Sequence, residues 1–186
     1  GAGVQWIRDR MKFIKKASDT ERIVKSLKNN SGIYLVPAFT GIGAPYWNAN
    51  ARGVLSGITR NTGPKEIVRA TIESVAYQTN DLFDAMKQDG LRPKLVKVDG
   101  GMVMNNWFSQ YLADIINIKV LRPKVYETTA LGAAFMAGLQ VGVYKSLKQI
   151  SKQWKLDKKF KPKVNNKFRK KVLADWNKAV KRTLIT

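Results

Sequence analysis

Between residues 64 and 90 the apolar positions Val68, Ile72, Val75, Ala76, Phe83 and Met86, with Thr79 among them, recur with a helical rhythm. Spacings of four, three and one residues draw a single stripe along an α-helix. Pro64 stands at the first helical position, Glu66 falls in the first turn, and Gly90 sits just past the expected end, where glycine commonly forms a left-handed cap. This is the longest helix the pattern predicts. Asp81 and Asp84 lie together on another face of it and read as solvated residues.

A second amphipathic run, Trp107, Phe108, Tyr111, Leu112 and Ile115, follows Asn105 and Asn106, both good N-cap types. Trp6, Ile7, Met11, Phe13 and Ile14 give the opening segment an imperfect helical pattern, and further helices are expected over 21–27, 128–139, 143–150 and 167–184. The helix at 128 begins Thr-Thr-Ala-Leu-Gly-Ala-Ala, so its first turns carry little side-chain bulk and allow close packing against a strand, a domain or a ligand. A connector broken by Lys and Pro is expected at 160–163.

Strands are expected over 33–39, 53–59, a stretch ending at Asp99, and 119–122, the last stopped by Pro123. Asn29-Asn30-Ser31-Gly32 and Asn61-Thr62-Gly63 supply turn chemistry between elements. The loop Thr40-Gly41-Ile42-Gly43-Ala44-Pro45-Tyr46-Trp47 is either a plug over the core or the wall of a ligand site, and spacing favours the plug. Strands alternating with helices imply βαβ units and a mainly parallel sheet.

The stretch from Leu95 to Asn106 organises the rest. It runs from a short strand through Asp99-Gly100-Gly101 into the capped helix. Paired glycines at the carboxyl end of a strand let the chain turn sharply and leave main chain bare, where open α/β sheets collect their ligands. A ligand-free strand-to-helix turn has the same local pattern. Neither the P-loop G-x-x-x-x-G-K-[ST] nor the dinucleotide spacing G-x-G-x-x-G occurs.

Composition then narrows the chemistry. The 186 residues suit one domain, and the chain has no cysteine and no histidine, which removes thiol chemistry and the commonest general base. No apolar run is long enough to span a bilayer. The chain opens at Gly1, without an initiator Met, and is read as a fragment lacking its amino-terminal part. The net charge is +21, and residues 145–186 hold fifteen Lys or Arg against two acids. That raises a basic nucleic-acid-binding module as an alternative. Because lysine far outnumbers arginine, a solvated basic surface is the preferred reading, with no nucleic-acid partner.

Three blocks resemble the FGGY carbohydrate kinases, relatives of hexokinase, actin and the Hsp70 ATPase. Gly53-Val54-Leu55-Ser56-Gly57-Ile58, followed after seven residues by Glu66-Ile67-Val68-Arg69-Ala70-Thr71-Ile72-Glu73, is similar to that family's carboxyl-terminal signature. Val98-Asp99-Gly100-Gly101 with Asn105 resembles the adenosine-binding segment. Pro37 to Trp47 with Ala51-Arg52-Gly53, Gly1 to Asp9, and Ala174 to Val180 are similar to the branch that phosphorylates glycerol, though Asn48 stands where Asp is usual.

The resemblance implies an α/β, RNase H-like domain with a mixed sheet and flanking helices. Residues 1–186 would form the carboxyl-terminal nucleotide-binding domain of a two-domain enzyme, with 143–186 as its basic helical tail. It implies transfer of the γ-phosphoryl group of Mg2+-ATP to glycerol, giving sn-glycerol 3-phosphate, with another sugar or polyol as the alternative substrate. Gly1, Gln5, Gly101 and Asn105 would contact ATP, and Gly100 would support the turn. The catalytic aspartate and the glycerol ligands would lie upstream of Gly1, so no catalytic residue and no metal ligand is assigned here. The fragment alone is expected to be inactive, and the full-length enzyme is expected to be cytoplasmic, homo-oligomeric and free of membrane.

Overall fold

The computed structural model describes residues 1–185. Helix α3 (Pro64–Gln88) is its axis. Glu66 Oε2 accepts the Gly63 N–H at 2.9 Å, which closes the first turn, and Gly90 takes the left-handed φ of +86° just beyond the end. Around α3 pack α1 (Ala2–Asp9), α2 (Asp19–Ser26), α4 (Asn106–Ile116) and strand β1 (Tyr34–Val36). Gly3 lets α1 approach closely, since a Cβ there would lie 2.8 Å from Thr71 Cγ2.

β1 pairs antiparallel with β2 (Val54–Ser56), and helix α7 (Asn166–Thr183) covers this ribbon. On the other side of α4 lies a three-stranded sheet. Its β3 (Leu95–Lys97) runs parallel to β4 (Lys119–Pro123), with α4 as the crossover, and β4 pairs antiparallel with β5 (Leu156–Phe160). The sheet is therefore mixed, and the mainly parallel arrangement expected from strand and helix alternation is confined to one βαβ unit.

The core joins Val68, Ile72, Ala76 and Tyr77 of α3 to Phe108, Tyr111, Leu112 and Ile115 of α4 and to Trp176 and Val180 of α7. It also buries a charged pair. Arg69 Nε lies 2.7 Å from Glu73 Oε1, with the two side chains 8% and 1% exposed. Tyr77 OH donates to Glu73 Oε2, and the Tyr77 and Tyr111 hydroxyls are 2.6 Å apart. Both members of the pair come from the block Glu66 to Glu73, whose stripe otherwise packs the core.

Several expectations are corrected. Asp81 is not solvated: it is buried, and its Oδ2 accepts from Trp176 Nε1 at 2.8 Å, whereas Asp84 is exposed beside Lys87. The opening helix stops at Asp9, and Lys12 takes a left-handed φ of +57°, so Phe13 and Ile14 reach the core from a loop. Of residues 143–150 only the second half is helical, as the short α6 at Leu147–Ser151, and 143–146 are irregular. The tail is not wholly helical, because β5 lies inside it.

Helix α5 (Thr128–Gln140) buries none of its residues, so the close packing its small side chains permit is not made by the described residues. In the loop after β1 the plug reading holds for Tyr46, which packs on the core, and fails for Trp47, which is 79% exposed. Asn48 Oδ1 accepts from the backbone N–H groups of Asn50 and Ala51. An aspartate oxygen can make the same turn, so the change from Asp keeps its geometry.

Candidate functional site

Beyond β3 the chain turns at Gly100, whose φ of +80° and ψ of 169° suit glycine alone. The Gly100 N–H donates to Tyr126 O at 2.8 Å, and residues Gly101–Met104 then form one 3-10 turn leading into α4. The carbonyls of this turn are held from behind: Val103 O accepts from Ser109 Oγ and from Arg122 Nη1, both at 2.8 Å. Arg122 is buried and is itself paired with Asp157 of β5 at 2.7 Å. The bared main chain is thus a fixed edge.

That edge borders a cleft of roughly 350 Å3. Gly1 and Gln5 of the α1 segment, Gly101 of the turn and Asn105 at the start of α4 all line it, so four of the five residues singled out in the sequence come together. Gly100 stands outside the lining, at the turn itself. A Cβ added at Gly101 would meet nothing within 4 Å, so the space beside it is open.

Asn105 is more than a lining residue. Its Oδ1 caps α4 by accepting the Phe108 N–H at 2.9 Å, and its Nδ2 donates to Thr20 Oγ1 at 3.2 Å, tying α4 to α2. An amide carries two N–H donors and two acceptor lone pairs, so one of each remains for a ligand.

Sequence reasoning did not single out the rest of the wall. Val4, Ile72, Met102 and Met104 give an apolar side, on which thioethers adapt to a flat ring. Arg8, Thr20 and Glu21 give a polar side. Burial acts to raise the Glu21 carboxyl, but the Lys25 hydrogen bond and charge, aided by the Asn106 N–H, outweigh it and leave the pKa below its usual value. The i, i+4 spacing of Glu21 and Lys25 was the available signal. Asp99 is exposed, outside the cleft lining, and accepts from the Thr128 hydroxyl. Among the described residues no group of three or more acidic side chains is placed to hold a metal ion, and no helix is long and apolar enough to cross a membrane.

Comparison with known proteins gives this geometry a family. The profile described as "FGGY family of carbohydrate kinases, C-terminal domain" matches residues 1–141. A glycerol kinase of Ectopseudomonas mendocina is 52% identical over 98% of the chain, and glycerol kinase 1 of Pseudomonas aeruginosa is 50% identical over 98%. The chain spans 37% of the length of each of these relatives.

Among solved structures, that of Plasmodium falciparum glycerol kinase with ADP superposes with a TM-score of 0.87 at 41% identity, covering all of this chain and 37% of that one. A xylulose kinase of Lactobacillus acidophilus superposes at 0.80 with 24% identity over 100% of this chain and 38% of that one, a likeness of fold. The α/β fold of the actin and hexokinase class expected from the sequence is borne out by these neighbours. By the match over its first 141 residues, this chain belongs to the FGGY family of carbohydrate kinases.

Proposed function

We propose that this chain is the nucleotide-binding half of an ATP-dependent glycerol kinase, and that the complete protein transfers the γ-phosphoryl group of ATP to a terminal hydroxyl of glycerol, giving sn-glycerol 3-phosphate. The observation that carries the reading is the convergence of Gly1, Gln5, Gly101 and Asn105 on one cleft. Glycerol as the acceptor is supported by the names of the relatives, each about half identical to this chain.

In this reading the purine lies against the bare edge at Gly101, between that main chain and the apolar side formed by Val4 and Ile72. Asn105 and Gln5 offer amide donors and acceptors to the nucleoside. Positioning and neutralisation of charge supply most of the catalysis in phosphoryl transfer, with a carboxylate taking the hydroxyl proton. That carboxylate and the glycerol contacts belong, in this proposal, to an amino-terminal domain of the same polypeptide. Mg2+ would arrive with the nucleotide, since this ion is commonly held by phosphate oxygens and water with one or two carboxylates.

Gly101→Val tests the reading. A branched side chain would fill the open space beside the turn, so calorimetry should register no ADP binding while circular dichroism stays native. Unchanged ADP affinity would sink the assignment. The chain by itself should also produce no ADP from ATP and glycerol, and turnover by it would overturn the division of labour proposed here.

A further inference from the structure

A second cleft, of roughly 440 Å3, opens on the far side of the Asn105-Asn106 step. Its rim carries Lys25 of α2, Lys158 and Lys159 of β5, and Lys161 and Lys163 of the following loop. Ion pairs relieve only part of this charge. Lys25 is paired with Glu21 at 2.6 Å, and Lys158 donates to the Asn106 amide oxygen at 3.3 Å. Lys159, Lys161 and Lys163 make no ion pair among the described residues. The nearby carboxylate of Asp114 is buried and turned to the Gln110 amide and the Lys163 backbone N–H.

Gathering ammonium groups around a concavity is unfavourable unless an anion offsets their repulsion. A cleft lined by one sign of charge with low-dielectric walls focuses the field into its interior. Here the walls include Trp107 and, behind Lys158 at 5.4 Å, the Phe160 ring. The Trp107 ring is already engaged, stacked on Tyr111 at 4.7 Å and approached by the Arg69 guanidinium at 5.1 Å. The cleft therefore offers charge rather than a platform for a base. Lysine binds phosphate as a point charge, and the volume falls in the range of small-ligand sites.

We propose that this cleft is a second anion site, separate from the first, that takes a compact polyphosphate. The ligand is recognised by its closely spaced negative charges, held between the β5 lysines and Lys25. The site exists because β5 pairs with β4 and brings the tail against α4, with Lys25 of α2 at the edge of the same cleft.

Calorimetry with inorganic tripolyphosphate against the full-length polypeptide, at about 0.15 M ionic strength so that exposed charges are screened, tests this. One tripolyphosphate should bind per chain, and the exposed double substitution Lys159→Glu/Lys161→Glu should weaken it by at least about tenfold, as loss of charge-assisted contacts implies. Lys145→Glu/Lys148→Glu makes the same charge change outside the cleft and should leave affinity within about twofold, since it removes no direct contact. Gly101→Val should bind the polyanion as the unaltered protein does. Absence of binding, equal weakening by both double substitutions, or loss of binding in Gly101→Val would each overturn the proposal.

Discussion

Trp176 Nε1 donates to Asp81 Oδ2 at 2.8 Å, joining α7 to α3 across 95 residues of sequence. Both side chains are buried. Burial raises the Asp81 carboxyl, with the Trp176 and Tyr46 donors opposing the rise. An acid whose native pKa is raised binds more protons folded than unfolded, so its contribution to stability falls as pH climbs from about 4 through the raised native value. Asp81→Asn keeps an acceptor for Trp176 and has no such slope. Thermal melts at about pH 5 and about pH 7.5 should show the variant gaining on the unaltered protein at the higher pH. A constant gap would mean that Asp81 titrates normally.

For the buried pair on α3, Arg69→Ala leaves Glu73 without its counter-charge and should cost about 3–5 kcal/mol. Arg69→Met/Glu73→Leu removes both charges at similar volume and should cost far less. Urea unfolding of the two variants separates a balanced buried pair from a decorative one.

Glycine positions divide by what surrounds them. Gly3→Ala drives a methyl against Thr71 and should destabilise by about 1–3 kcal/mol as an overpacking change, despite alanine's better helix propensity. Gly132→Ala in α5 meets open space and should stabilise by up to about 1 kcal/mol. The opposite order in denaturant midpoints would contradict the close contact of α1 with α3.

Asn105→Ala removes the cap of α4 and the link to Thr20 together, and should cost about 1–2 kcal/mol. Asn105→Asp retains the capping oxygen and loses the donor, so it should recover most of that stability. If ADP affinity stays low in Asn105→Asp, the amide donor itself serves the nucleotide.

What the sequence revealed, and what it hid, follows from how far apart the cooperating residues lie. The stripe on α3 and the Asn105 cap depend on residues a few positions apart, so spacing exposed them. The cleft lining was recovered at Gly1, Gln5, Gly101 and Asn105 through likeness to a family, whereas Met102, Met104 and Ile72 carry no polar signature. Asp81 was misread because its partner lies near the other end of the chain. Strand β5, Leu-Asp-Lys-Lys-Phe, shows no alternation, since only Phe160 is buried. It exists through backbone pairing with β4, which periodicity cannot detect.

Pairing of β5 with β4 makes the lysine-rich end integral to the molecule rather than an appendage. A stop codon placed between α6 and β5 would strip the buried Arg122, which holds the Val103 carbonyl, of its Asp157 partner, and bare a row of unpaired amides on β4 open to recruitment by another chain. Clipping the basic tail to improve handling would therefore open a sheet edge and remove the Trp176 and Val180 side of the core together.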